Sequence, residues 1–207
     1  MVGKMKKLIL GSLMGILGTG CSFFGVQNVE QPNYKVIVKQ NDKEIRKYNS
    51  HIVAKTVIQG SFKDAQKEGF RILAGYIFGK NKSQQKIEMT APVVIASDEN
   101  TKSWTMTFSM PSRFTLETLP TPDDDRIKIE EVETRFVAAL TFTGFWGEDK
   151  NAEKGNELNE WLEANKGYEI ISKPMFAGYN PPWTLPFLRR NEMLIEIKPS
   201  ADTHLDP

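Results

Sequence analysis

The segment Lys86–Val93, Lys-Ile-Glu-Met-Thr-Ala-Pro-Val (KIEMTAPV), decides the reading of this chain. Ile87, Met89, Ala91 and Val93 alternate with Lys86, Glu88, Thr90 and Pro92. That period of two predicts a strand with one buried face. Pro92 has no N–H to give a ladder, which places a strand edge or a bulge there. Downstream, Trp104–Met110 (WTMTFSM) sets Trp104, Met106, Phe108 and Met110 against Thr105, Thr107 and Ser109, the cleanest strand pattern in the chain. A turn at Asp98–Thr101 between them predicts a hairpin of Glu88–Ala96 with Trp104–Met110.

Upstream of KIEMTAPV the period changes. Phe62, Ala65, Gly69, Ile72, Leu73 and Tyr76 recur at helical spacing. Ser61 is placed to cap this helix, with Asp64 three residues on in a capping-box pattern, and Gly79 suits the residue past its end. Three extended segments precede it: Tyr34–Lys39, Glu44–Tyr48 and His51–Gln59, the last rich in Val, Ile and Thr. After the Pro- and Asp-rich connection Thr118–Asp125 the order repeats. Ile127–Val132 and Arg135–Thr143 read as strands. Gly147–Lys166 reads as a helix with Leu158, Trp161 and Leu162 inward, ended by Gly167. Tyr168–Ala177, with Pro174 inside it, and Met193–Lys198 read as strands.

The two halves can be aligned directly: His51–Gly60 (HIVAKTVIQG) matches Arg135–Gly144 (RFVAALTFTG), and each leads into a helix. The fold class expected is α+β: a duplicated ββαββ unit whose mostly antiparallel sheet curls into a distorted β-barrel flanked by two helices. The domain spans residues 34–198, and residues 199–207 read as a disordered tail.

The N-terminus has another character. Lys4, Lys6 and Lys7 precede the apolar and small run Leu8–Gly20, which is short for a permanent bilayer span and has the pattern of a secretory signal peptide over residues 1–20. Met5 is an alternative start. Cys21, the single cysteine, follows Leu17-Gly18-Thr19-Gly20, an arrangement that resembles a bacterial lipobox with the leucine displaced by one place. The expectation is a lipidated Cys21 and a tether to residue 33. It puts the protein in the bacterial cell envelope, lipid-anchored, and Ser22 after the cysteine favours the outer membrane. The alternative is a secreted or periplasmic soluble protein. Without Lys4, Lys6 and Lys7, the 27 basic residues fall to 24 against 26 acidic, a mature charge of about −2 with no basic block. That argues against nucleic acid as a partner.

KIEMTAPV, Trp104–Phe114 (WTMTFSMPSRF), Gly178–Ile197 (GYNPPWTLPFLRRNEMLIEI) and Glu44–Tyr48 (EIRKY) together resemble the SOUL/haem-binding-protein family, over roughly Tyr34–Lys198. The resemblance implies a pseudo-twofold barrel with two helices and binding of haem or another tetrapyrrole. It points to the cleft between the first helix and the loop carrying PPWTLPFLRR. On that helix Lys67, Phe70, Ala74 and Phe78 form a second face at spacings of three, four and four residues. In the loop Trp183, Leu185, Phe187 and Leu188 are apolar, and Pro181, Pro182 and Pro186 stiffen the segment. Arg189 and Arg190 have the chemistry to hold carboxylates. The competing reading has the loop closing one end of the barrel, with either arginine paired to Glu192 or Glu196.

Iron ligands are scarce. There are two histidines: His204 in the tail and His51 at the start of a strand. His51 is the one candidate axial ligand, weak against a plain turn histidine. Some members of the family carry a histidine where this chain has Lys47. Met89 and Met110 read as core. Asp123-Asp124-Asp125 lacks calcium-loop spacing and reads as a solvated turn. With no GxSxG, HExxH, CxxC or P-loop present, no catalytic residue is assigned. The function expected is non-catalytic binding of haem or a related tetrapyrrole. The alternative is an envelope interaction module for another apolar ligand, a lipid or a protein. A hydrolase is the third reading, and no catalytic group supports it.

Overall fold

The computed structural model describes residues 29–98 and 100–200. Residues 1–20, read above as a signal peptide, Cys21 and His204 lie outside the described residues. Ten strands make one sheet: β1 (Tyr34–Gln40), β2 (Lys43–Tyr48), β3 (His51–Gln59), β4 (Val93–Asp98), β5 (Ser103–Ser109), β6 (Lys128–Val132), β7 (Arg135–Phe142), β8 (Tyr168–Ile170), β9 (Met175–Gly178) and β10 (Asn191–Pro199). Its order is β1-β2-β7-β10-β9-β4-β5-β3-β6, with β8 on the far part of β10. Every strand pair is antiparallel. The sheet curls into a half-barrel whose path ends at β1 and β6, so the α+β class holds.

The order shows the duplication. β4 and β9 pair at the centre, with Val94 opposite Ala177. Outward from that seam β5 and β3 on one side match β10 and β7 on the other. The next strand on each side comes from the opposite half: β6 pairs with β3, and β2 pairs with β7. The halves therefore exchange their first strands.

Two helical segments cover one face. The first helix is capped as its sequence predicts. Ser61 Oγ accepts from the Asp64 N–H at 3.2 Å, and the Asp64 carboxylate accepts from the Ser61 N–H at 3.1 Å. It runs as α1 (Phe62–Asp64), a π-helical turn (Ala65–Gly69) and α2 (Phe70–Ile77). Gly79, at φ 109°, ends it: the Lys80 N–H reaches Gly75 O at 2.9 Å and the Gly79 N–H reaches Tyr76 O at 3.2 Å. The second helix, α3 (Glu148–Ala164), buries Leu158 and Leu162. Between helices and sheet lies the main core, including Ile58, Phe62, Leu73, Tyr76, Met106, Phe108, Leu140 and Ile195. A smaller cluster of Tyr48, Val137, Ala139, Ala177 and Leu194 lies apart from it.

Three expectations need correction. KIEMTAPV is not a strand: β4 begins only at Val93, so the hairpin with β5 runs from Val93–Phe108 to Asp98–Ser103. The segment before it finds other partners. Thr90 Oγ1 donates to Ser109 O at 2.7 Å, the Ala91 N–H donates to Glu30 O at 2.9 Å, and Pro92, after a cis peptide bond, has no N–H. Alternation survives where Ile87 is buried and Glu88 exposed, but Thr90, Ala91 and Pro92 are buried in succession. The strand expected over Tyr168–Ala177 is two, β8 and β9, both on β10. Pro174 between them packs on α3, where a Cβ added to Gly155 would lie 2.9 Å from the proline Cβ. Finally, part of the tether and tail is bonded to the domain. Glu30 forms a bridge with Thr90, Pro199 ends β10, and the Ser200 N–H donates to Gly167 O.

Candidate functional site

On the first helix the core stripe read from the sequence is buried throughout. Gly69 allows its close approach to β5, since a Cβ there would meet Met106 Cβ at 3.1 Å. On the second face Lys67 is exposed, Phe70 is 39% exposed and Phe78 is 59% exposed. Phe70 leans edge-on against Phe108 at 5.6 Å. Ala74, between them in sequence, is buried and offers a ligand almost no surface.

The loop residues Trp183, Leu185, Phe187 and Leu188 are also exposed, with Trp183 at 71%. Their neighbour is the β7–α3 turn: the Gly144 N–H donates to Pro186 O at 2.9 Å, and Asn191 Nδ2 donates to Gly144 O at 3.1 Å. Arg189 stands over the Phe145 ring at 5.6 Å and gives its guanidinium hydrogens to Thr184 O and Pro182 O. Phe70 makes its ring contact with Phe108 and not with this loop, and the two cavities described below are lined by neither the loop nor Lys67, Phe70 or Phe78.

Arg190 follows the competing reading and pairs with Glu192 at 2.8 Å. That contact belongs to a network no sequence pattern had shown. Glu192, fully buried, accepts two hydrogen bonds from Arg46, at 2.8 and 2.9 Å. It also accepts from Tyr179 Oη at 2.7 Å and Thr141 Oγ1 at 3.2 Å. Arg46 is buried too, bonds Glu44 at 2.8 Å, and lies 4.6 Å from the Tyr34 ring centroid. Burial opposes the charge of Glu192, but Arg46 and Arg190 outweigh it and hold its pKa below the ordinary carboxylate value. Burial opposes the Arg46 charge likewise, and Glu192 more than offsets it, so its pKa is raised. Burial and the Glu192 charge push the Tyr179 phenol up. The signal that could have found the network is Arg46 in EIRKY and Glu192 in RRNEM, each a charge inside a strand pattern.

His51 sits elsewhere. It lines a cavity of about 400 Å³ with Ile52, Met110, Phe114, Leu116 and Glu117. Its Nδ1 lies 3.0 Å from Asn49 O, an acceptor, so Nδ1 carries the proton and Nε2 keeps its lone pair. Burial lowers its pKa against the Asn49 bond, and Arg135 lowers it further. Met110 is buried and Met89 packs at the core margin. A second cavity, about 430 Å³, is lined by Arg71, Tyr76, Lys80 and Asp123–Arg126. In it Asp124 pairs with Arg126 at 2.7 Å, and Asp123 pairs with Lys82 at 3.1 Å. Among the described residues no group of three His, Cys, Asp or Glu side chains is placed to hold a metal ion.

A profile of the SOUL heme-binding protein family matches residues 29–196. The chain belongs to the SOUL heme-binding protein family. Heme-binding protein 1 of Xenopus laevis is 28% identical over 200 residues, covering 91% of this chain and 97% of that protein. Heme-binding protein 2 of Homo sapiens is 31% identical over 188 residues, covering 86% and 90%. Among solved structures, the EcmrR C-terminal domain has a TM-score of 0.59 at 13% identity, covering 81% of this chain and 99% of that one. A hydrolase from Listeria innocua has a TM-score of 0.52 at 13% identity, covering 78% and 94%. These two structures share the fold with this SOUL protein, and their likeness extends no further.

Proposed function

We propose that this SOUL protein binds haem or a related tetrapyrrole on the outer face of its first helix, without catalysis, and that a lipid on Cys21 holds it at the membrane of a bacterial cell envelope. The observation that carries the binding reading is the pair Phe70 and Phe78, exposed aromatic rings on a helix whose other side is core. A flat apolar ring system gains by covering them. Lys67, one turn before Phe70, supplies a cation for a propionate. These residues suit the ring and its carboxylates. They supply no imidazole for iron, because His51, the one described histidine, lines a different cavity. The family name of the relatives, heme-binding protein, supports this ligand class.

Titrating the full chain with hemin and following the Soret band tests the reading. A shifted, saturable band is expected, and Phe70→Ser with Phe78→Ser weakens binding about tenfold or more, given roughly 1.5–3 kcal/mol for each buried Phe. A band unshifted at tens of micromolar, roughly −6 to −7 kcal/mol, overturns it. A second reading rests on His51, whose Nε2 lone pair borders the 400 Å³ cavity. If haem enters there, His51→Ala changes the Soret maximum while the double serine variant does not. Glu30, Glu117 and Glu131 line that cavity and oppose propionates, which favours the helix. For the anchor, Cys21→Ser should release the protein from membranes; retention defeats the lipid assignment.

A further inference from the structure

Five large apolar side chains stand exposed on two loops that are tied together. Phe145, from the β7–α3 turn, is 73% exposed, and Trp183, Leu185, Phe187 and Leu188, from the β9–β10 loop, are between 40% and 71% exposed. The tie is the Gly144 N–H to Pro186 O bond, reinforced by Asn191 and by Arg189 over Phe145. Part of the β9–β10 loop's backbone is bonded within the protein. Pro181 O accepts from the Thr184 N–H, Leu185 O from the Leu188 N–H, and Pro186 O from the N–H groups of Gly144 and Arg189. Pro182 O and Thr184 O accept from the Arg189 guanidinium. Thr184 itself is buried. With five of its carbonyls bonded internally, the loop loses fewer hydrogen bonds to water when its apolar side chains are covered.

We infer that this pair of loops is a membrane-facing surface that inserts Trp183 and its neighbours into the interfacial layer of a lipid bilayer. The inference rests in part on the proposed attachment at Cys21. The described chain begins beside the loops: Gln31 Oε1 accepts from Arg190 Nη1 at 3.3 Å, two residues past Leu188. Seven residues lie between Cys21 and Val29, eight Cα–Cα steps with a reach of about 28 Å when fully extended. An anchor at Cys21 therefore keeps this end of the domain close to the bilayer. Tryptophan and phenylalanine are the side chains that suit the water–lipid interface. Among the described residues no helix is long and apolar enough to cross a membrane.

The test uses the full chain with vesicles of phosphatidylethanolamine and phosphatidylglycerol, half of the lipid carrying brominated acyl chains. Of the four tryptophans, Trp104, Trp146 and Trp161 are half-buried in the domain, and Trp183 is exposed. Bromine in the acyl layer is expected to quench indole emission. Trp183→Phe should abolish that quenching while the chain stays on the vesicles. Phe145→Ser with Phe187→Ser should lower it at least twofold. A vesicle-bound chain whose quenching is the same with and without Trp183 overturns the inference and leaves the anchor standing. So does a vesicle-bound Trp183 quenched by aqueous iodide but not by bromine, which points to a protein partner instead. A chain that remains in solution overturns the surface and the anchor together.

Discussion

The same position in the two halves of the sheet carries opposite electrostatics. Arg46 faces Val137 across β2–β7, and Glu130 faces Val53 across β6–β3; Val53 and Val137 are matched residues of HIVAKTVIQG and RFVAALTFTG. In one half Arg46 grips Glu192, with side chains 2% and 0% exposed. In the other, Glu130 meets Lys55 at 2.6 Å, with side chains 44% and 33% exposed. The backbone registers correspond, so the difference comes from what lies over them. β1 brings Tyr34 to the Arg46 side, and the β9–β10 loop brings Tyr179 and Arg190. No strand flanks β6 as β1 flanks β2, and the Lys55–Glu130 pair stays in water. Duplication fixed the frame, and the additions decided which polar cluster became dry.

Breaking the dry side should have the largest effect. Glu192→Ala leaves the buried Arg46 with only Glu44 as a carboxylate partner and takes the partner of half-buried Arg190, and about 3–5 kcal/mol of stability is expected to go in urea unfolding. Replacing both Arg46 and Glu192 with apolar residues of similar volume should recover most of that loss, because the desolvation penalty disappears with the charges. Tyr179→Phe removes one hydrogen bond to the buried carboxylate and should cost about 1.5–3 kcal/mol. Acid sharpens the contrast. The folded pKa of Glu192 lies below its unfolded value, so the network's contribution is complete above the ordinary carboxylate range near 4.5 and is lost as pH falls through the lower folded value. Glu192→Gln should therefore flatten the acid limb of a stability–pH curve, and an unchanged limb would contradict the assigned charge. Lys55→Ala on the wet side should change stability by about 1 kcal/mol or less.

Much of this frame is legible in the sequence, and the exceptions have physical causes. Ser61, Asp64 and Gly79 announce the ends of the first helix because capping is local chemistry. The matching of β3 with β7 is legible because each strand keeps its own period of two. KIEMTAPV misleads for a related reason. Alternation reports burial, and Ile87 and Glu88 obey it, but pairing depends on where the hydrogen bonds go. Those of Thr90 and Ala91 go to Ser109 and Glu30, the latter 61 residues away from Ala91. The π turn at Ala65–Gly69 has no marker in spacing alone, and Ala74 is buried on a face the helical count leaves open. Of the two arginines at the loop's end, Arg190 takes the pairing weighed for it and Arg189 is spent on its own loop's carbonyls. The Arg46–Glu192 contact spans 146 residues, and no window of local sequence contains both partners.

The exchanged first strands reach beyond stability. A single ββαββ unit of this kind, made alone, would have a vacant berth beside its second strand and a first strand with nowhere in its own unit to go. A second identical unit would cure both faults at once, each lending its strand to the other. The arrangement is that of an intertwined dimer whose two chains have been spliced end to end. Either half expressed by itself should be incomplete, yet the two halves supplied as separate polypeptides have every edge needed to find each other.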